Sequence, residues 1–279
     1  MNPGLDEART LALQVQAVAT RLGVSNWRSS ADEVACEQVD LQDTDLLLVM
    51  GGDGTILRVA RVAARYQVPV MGVGFGRLGF LAEVSPAGLI NRIEDIVAQR
   101  FWVEKRLMIR ATVHRRDRVD GPFDVLNDVV AGRGTLARVV DTTLLVDGEY
   151  VTTFVGDGVI VSTPTGSTAY SLAAGGPILD PGLNNMVVTP IAPHLSFLRS
   201  LVLPESATIE LSVASKVDAS LSIDGQVDLS LGRTDTVQIT KSPLASRFAR
   251  IHPKNYFYRS LSQRLRRWER TRFAAEETK

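Results

Sequence analysis

The chain has 279 residues, 45% of them hydrophobic, with a formal net charge of zero. This is a globular composition with room for two domains, and its neutral balance argues against a nucleic-acid partner held by bulk electrostatics while leaving open a local pocket for phosphates. A single cysteine, Cys36, excludes an intrachain disulfide framework and points to a reducing, cytoplasmic setting; no apolar run is long enough to span a bilayer, and the start MNPGLDEART is not expected to act as a signal peptide.

Asp6 to Leu22 reads as an amphipathic helix, with Leu11, Val15, Val18, Ala19 and Leu22 on one face and Gly23 to end it. DLLLVMGG, from Asp45 to Gly52, is an apolar run of the kind found in parallel strands buried on both faces. Ile56 to Tyr66 predicts a helix, Val68 to Val73 a strand, and Ile90 to Gln99 another helix. Residues 1–100 are therefore expected to form an α/β domain with an open, helix-covered parallel sheet. From Phe101 the texture becomes β-branched, alternating and punctuated by Asp-Gly pairs, which predicts a β-rich domain over residues 101–250 with hairpin turns. Residues 251–279 form a C-terminal segment in which Tyr258 to Thr271 reads as a basic amphipathic helix. It either packs back on the first domain or stays a solvated tail.

The chemistry concentrates in the glycine-rich loops. GGDGT, Gly51 to Thr55, stands where an apolar strand meets a helix. Glycines there let backbone N–H groups approach a phosphate, and the helix N-terminus adds partial positive charge. Asp53 does not fit that purpose, because a carboxylate repels phosphate. It fits if it meets a metal ion or takes a proton from a hydroxyl, as phosphoryl transfer to an alcohol requires. The alternative is a plain strand-to-helix turn with Asp53 as its cap. Gly74-x-Gly76-x-x-Gly79 formally matches a dinucleotide fingerprint, but Pro86 arrives before the required long helix. A turn lined by Phe75 and Phe80 fits better.

Gly156 to Ile178, GDGVIVSTPTGSTAYSLAAGGPI, runs from a strand at Val159–Ser162 into Thr163, Thr165, Ser167 and Thr168, with a helix start expected at Ser167 or Thr168. Hydroxyls and free N–H groups gathered there make an anion site, and Tyr170 offers a surface on which an adenine can stack; an elaborate helix cap is the alternative. Asn127 and Asp128 are adjacent acceptors suited to a ribose diol, or else a strand end. Asp224-Gly225-Gln226 is first of all a hairpin signal, as is Asp147-Gly148 in VDGEY, where no chemistry is visible. His114, His194 and His252 show no metal-ligand spacing, and no Gly-x-Ser-x-Gly elbow is present.

GGDGT at 51–55, GRLGFLAEV at 76–84, ND at 127–128, the 156–178 stretch, IAPH at 191–194 and DGQ at 224–226 occur in the order seen in NAD kinases, and the resemblance covers nearly the whole chain. GGDGT alone is shared with lipid kinases; TPTGSTAYSLAAGGP is far more specific. The resemblance implies a two-domain NAD kinase-like fold with the active site between the domains. It implies transfer of the ATP γ-phosphoryl group to the 2′-hydroxyl of the adenosine ribose of NAD, giving NADP, with polyphosphate as the alternative donor. It also implies Mg²⁺ or another divalent cation, without naming its ligands, and a homodimer or homotetramer in which neighbouring subunits help to form the site. Carried over, Asp53 is the catalytic carboxylate, and Gly52, Gly54 and Thr55 form the phosphate-facing loop. Asn127 and Asp128 hold the nicotinamide-side ribose. Thr165, Thr168, Ala169 and Tyr170 line the NAD site with Asp157 nearby, Phe75 lines the pocket, and Asp224 and Gln226 complete the substrate-binding set. The chain departs from the family pattern at Gly74, where Asn is common, and at Val155, where Arg often stands. The usual first strand is expected either to be missing or to lie upstream of Met1. A lipid or sphingoid kinase and a non-catalytic NAD(P)-binding regulator are the competing readings. Conversion of NAD to NADP separates them.

Overall fold

The structure, a computed structural model, describes residues 6–75, 79–134, 139–194, 199–214 and 219–262. The chain divides into two units, Met1–Glu104 with Arg247–Lys279, and Lys105–Ser246. It crosses from one to the other inside strands, so no turn residue marks either boundary.

The first unit contains α1 (Asp6–Arg21), α2 (Ala31–Ala35), β1 (Leu47–Gly51), α3 (Asp53–Ala63), β2 (Val70–Gly74), β3 (Ala82–Val84), α4 (Pro86–Ile90) and α5 (Ile93–Val97). α1 buries Ala8, Leu11, Ala12, Val15 and Ala19, the stripe expected of its periodicity, while Leu22 stays exposed beyond its end. α2 was not expected, yet its signal is present. Ser30 and Glu33 form a reciprocal capping box, the Ser30 hydroxyl accepting from Glu33 N–H at 3.1 Å and the Glu33 carboxylate from Ser30 N–H at 2.7 Å. α3 starts at Asp53, three residues before the apolar periodicity, and a 3₁₀ turn at Ala64–Tyr66 extends it. The single helix expected over Ile90–Gln99 is two short ones. Ser85 caps a helix that opens on Pro86, and the chain breaks at Asn91 and Arg92 before α5. β1 and β2 pair in parallel from Leu47↔Val70 to Gly51↔Gly74, and β2 pairs in parallel with β3. Val70 also pairs with Phe248 of the returning chain. Met50, Met71, Val73, Val84, Leu89, Ile93 and Ala249 join the α1 stripe in one core.

The second unit holds the rest of β4 (Trp102–His114), then β5 (Val119–Val125), β6 (Asp128–Arg133), β7 (Val140–Val146), β8 (Glu149–Gly156), β9 (Gly158–Ser162), α6 (Tyr170–Ala173), β10 (Asn185–Ile191), β11 (Leu201–Pro204), β12 (Ile209–Val213), β13 (Ala219–Ile223), β14 (Val227–Leu231) and most of β15 (Thr236–Arg250). β11-β10-β9-β6-β13-β14 form one antiparallel sheet. β8, β7, β12 and the first part of β15 pair antiparallel in turn. Alternate residues such as Ile209, Leu211 and Val213, and Ala219, Leu221 and Ile223, point into a shared core with Val129, Val159 and Val161. The two Asp-Gly hairpins are as read, with positive φ at Asp147, Gly148, Asp224 and Gly225. Residues 256–262 are helical, and the remainder of the expected C-terminal helix lies outside the described residues. No described helix is long and apolar enough to cross a membrane.

Candidate functional site

In the first unit the parallel pairing of β1 and β2 brings their C-terminal ends level, at Gly51 and Gly74. Gly52, in extended backbone, turns the chain into α3, whose first residue is Asp53. The Asp53 carboxylate turns away from its own helix. Oδ2 accepts from Phe80 N–H at 2.6 Å and Oδ1 from Leu81 N–H at 3.2 Å, in the segment that follows β2. A carboxylate has about four acceptor positions, so this clasp leaves others open.

The three loop glycines differ in what they require. A Cβ on Gly51 would come within 2.8 Å of the Thr55 Cβ, so packing against buried Thr55 explains that glycine. Among the described residues, chain neighbours and the helix's own backbone aside, no atom lies within 4 Å of a Cβ on Gly52 or Gly54, and both residues are exposed. Internal packing therefore does not call for glycine at either. Phe75, expected to line a pocket, is half-buried against the core of its unit.

In the second unit the register does the assembling. Asp128 opens β6 opposite Ser162, the last residue of β9, and Val129 faces Ile223 at the end of β13. Three loops thus leave the sheet at one end: 126–127, 163–169 and 224–226. The Asp224 carboxylate binds the first of these. It accepts from Leu126 N–H at 3.0 Å, Asn127 N–H at 2.7 Å and Asp128 N–H at 3.1 Å. Asp224 N–H in turn donates to the Asp128 carbonyl at 2.9 Å. Asp224 was expected to bind substrate, and its carboxylate is engaged in holding this loop. Gln226 closes the hairpin, its N–H on the Ile223 carbonyl at 3.0 Å.

The 163–169 loop docks on the same backbone. Thr163 donates its N–H to the Asn127 carbonyl at 2.9 Å and its hydroxyl to the Leu126 carbonyl at 2.5 Å. Gly166 packs so closely that a Cβ would stand 2.1 Å from the Asn127 carbonyl oxygen. A 3₁₀ turn, Gly166–Thr168, precedes α6. The Thr168 hydroxyl donates to the Thr165 carbonyl at 3.2 Å, while the Thr165 hydroxyl is buried with no hydrogen-bond partner among the described residues. Ala169 is half-buried and Tyr170 is 46% exposed.

Within this cluster Asp128 stands out. The residue is 6% exposed, and no described side chain or backbone group donates a hydrogen bond to its carboxylate. Burial, and then the charge of Asp224, push the Asp128 carboxyl up to about 7.

Asp157 is not part of the cluster. It precedes β9 and pairs with Arg133 at 3.4 Å, at the far end of a five-residue strand, roughly 16 Å from the Asp128 end at the usual rise. Among the described residues no group of three His, Cys, Asp or Glu is placed to hold a metal ion. Sequence reasoning missed two features: the Phe80 and Leu81 donors on Asp53, and the role of Thr163. The second glycine of GRLGF was the visible trace of the first.

Comparison with known proteins gives one consistent result. The family model of the ATP-NAD kinase N-terminal domain matches residues 4–101, and that of the ATP-NAD kinase C-terminal domain matches residues 126–251. An NAD kinase of Dehalococcoides mccartyi is 38% identical over 267 residues, 95% of this chain and 93% of that protein. An Archaeoglobus fulgidus NAD kinase solved in complex with ATP matches with a TM-score of 0.74 and 26% identity, over 91% of this chain and 94% of that one. A yeast NADH kinase complexed with NADH matches with a TM-score of 0.71 and 31% identity, over 80% of this chain and 67% of that one.

Proposed function

We propose, from the premise that the chain belongs to the ATP-NAD kinase family, how its residues carry the γ-phosphoryl group of ATP to the 2′-hydroxyl of the adenosine ribose of NAD. Its fold is that of the two-domain NAD kinases, and it is a phosphotransferase.

One observation carries the placing of the dinucleotide: the buried Asp128 carboxylate, which no described group in the protein donates to. A ribose diol supplies two O–H donors to Asn127 and Asp128, where no described group of the protein donates to the Asp128 carboxylate. Asp224 contributes by fixing the backbone that carries both residues, and Gln226 belongs to the same hairpin end. Thr165, Thr168, Ala169 and Tyr170 line the remainder of the dinucleotide, with the exposed Tyr170 ring as a stacking surface. Phe75 is the pocket-lining residue of this reading.

At Gly52 and Gly54 the open space over the backbone suits a triphosphate approaching the N–H groups at the start of α3. Buried Thr55 supports this loop through Gly51. The ribose 2′-oxygen attacks the γ-phosphorus, the bond to the β–γ bridging oxygen breaks, ADP leaves, and the hydroxyl proton passes to the Asp53 carboxylate. A positioned base of this kind is worth about 10²–10⁴-fold; orientation and charge stabilisation supply the rest.

A carboxylate beside a phosphate loop fits a Mg²⁺ ion that arrives on ATP. Asp53 is the side chain that would meet it, and the ion would neutralise charge on the phosphates. A homodimer or homotetramer belongs to the same reading, with neighbouring subunits helping to form the site. The proposed compartment is the cytoplasm, in keeping with a single exposed Cys36.

Incubation with ATP, Mg²⁺ and either NAD or a diacylglycerol tests the substrate, with NADP as the expected product. Asp53→Asn, which keeps size and removes the base, is expected to lower kcat by at least about 10²-fold with little change in the KM for NAD. A near-normal kcat removes Asp53 from this role.

A further inference from the structure

We infer that Gly79 is a positioning residue for Asp53, and that the two backbone N–H groups after it, on Phe80 and Leu81, fix the direction in which the Asp53 carboxylate faces its substrate. The inference rests on the assignment of Asp53 as proton acceptor.

The geometry leaves no room for a side chain at residue 79. An added Cβ would stand 2.0 Å from Asp53 Oδ1, 2.2 Å from its Cγ and 2.3 Å from Oδ2. The backbone at Gly79 is not in the left-handed region, so glycine is not required there by φ. The three nearest atoms all belong to Asp53. The carboxylate and the glycine are complementary: one occupies the space that the other leaves empty.

The donor pair is held from behind. Arg250 Nη1 donates to the Leu81 carbonyl at 3.2 Å and to Glu83 Oε2 at 3.0 Å, and its Nε donates to Glu104 at 2.8 Å. Glu83 Oε1 also accepts the N–H groups of Ile251 and His252, each at 2.8 Å. Arg250 and Glu83 are both buried. A backbone tied to a buried ion pair does not readily follow a carboxylate that moves. A methyl group at residue 79 is therefore relieved by rotation of the short Asp53 side chain, which breaks both N–H bonds and turns the base away. The fold survives this, but the direction of the base does not.

A two-by-two cycle of Gly79→Ala and Asp53→Ala on the full chain tests this, reading steady-state kinetics and melting temperature. Gly79→Ala alone is expected to lower kcat by about 10-fold or more, with the KM values for NAD and ATP within about 2-fold of the parent. It should also lower the melting temperature. In the Asp53→Ala background, where the carboxylate is gone, Gly79→Ala should change neither kcat nor melting temperature. An unaltered kcat in Gly79→Ala, or equal losses in both backgrounds, overturns the inference, because Gly79 would then act through the fold. If Gly79→Ala fails to fold, recovery of folding in the double variant supports the inference and persistent misfolding overturns it. Failure of the Asp53 assignment itself has a separate signature, a near-normal kcat in Asp53→Ala alone.

Discussion

Asp128 opens a central strand next to Asp224, and its carboxyl is raised to about 7, first by burial and second by that neighbouring charge. The folded chain therefore holds the proton more tightly than the unfolded chain. This favours the fold below the ordinary carboxylate range, and the advantage is lost as pH rises toward 7, with no further change above it. Raising the carboxyl from the ordinary range to about 7 is worth up to about 4 kcal/mol. Asp128→Asn removes the titration, so it is expected to raise the ligand-free melting temperature more at pH 8 than at pH 5. Binding has the opposite sign. Ribose hydroxyls donate to the ionised form, so NAD affinity should climb as pH rises through about 7 and then level off, and Asp128→Asn should flatten that profile. Calorimetric titration without ATP at several pH values checks this, and a pH-independent affinity in the parent removes Asp128 from the diol. Asp128 was legible in the sequence through its neighbour Asn127 and the order of the motifs. The role of the Asp224 carboxylate was not, because its three backbone donors lie 96 to 98 residues away. A hairpin signature says where the turn is, not what its side chain reaches.

Elements with strong periodicity or turn chemistry, such as α1 and the two Asp-Gly hairpins, could be read directly. Short elements whose stability comes from caps and neighbours could not. α4 and α5 merge into one apolar pattern by sequence, and only Ser85, Pro86 and the break at Asn91–Arg92 separate them. β10 carries Pro190, which argues against a central strand. Pro190 pairs with Val159 but lies beyond Asn185–Val188, the stretch paired by β11, so one flank there has no partner strand among the described residues. The glycines of the functional loops show the same limit. Gly52 and Gly166 are both glycine in a loop by sequence, yet a Cβ on Gly166 would meet the Asn127 carbonyl oxygen at 2.1 Å and its carbon at 2.5 Å, while one on Gly52 meets nothing among the described residues. The atoms facing Gly166 are backbone and cannot swing aside. Gly166→Ala is expected to cost about 1–3 kcal/mol of stability by overpacking and to raise the KM for NAD by displacing Asn127 and Asp128. Gly52→Ala should leave the melting temperature unchanged and raise the KM for ATP. Melting curves with the two KM values check the pair, and equal melting temperatures for both variants contradict it.

At the scale of the whole molecule, the change in texture after Phe101 correctly signalled a helix-rich part followed by a β-rich one. The return of the chain was less visible. Residues from Arg247 onward belong with the first unit, and β15 runs through the boundary without a turn. Phe248 and Ala249 of the returning segment are fully buried, and polar bonds hold it as well; polar partners leave no periodic trace in sequence. Trp102 Nε1 donates to the His252 carbonyl at 2.8 Å, Arg247 bonds Gln67 at 2.6 Å, and Arg250 pairs with Glu83 and Glu104. The pair between Arg250 and Glu83 is the most buried of these. Removing only the cation leaves Glu83 charged in the interior, a change that costs about 3–5 kcal/mol, whereas removing both charges costs much less. Arg250→Met is therefore expected to accelerate amide exchange in β2 and β3 by about 10²-fold or more. Adding Glu83→Gln should recover part of that protection, since a neutral amide can stay buried where an unpaired carboxylate cannot. Exchange followed by mass spectrometry on the full-length chain reads both. Unchanged exchange in Arg250→Met would show that the ion pair adds nothing to the stability of the unit. A double variant no better protected than the single would show that the loss comes from the side chain's packing against Phe248 rather than from the stranded charge.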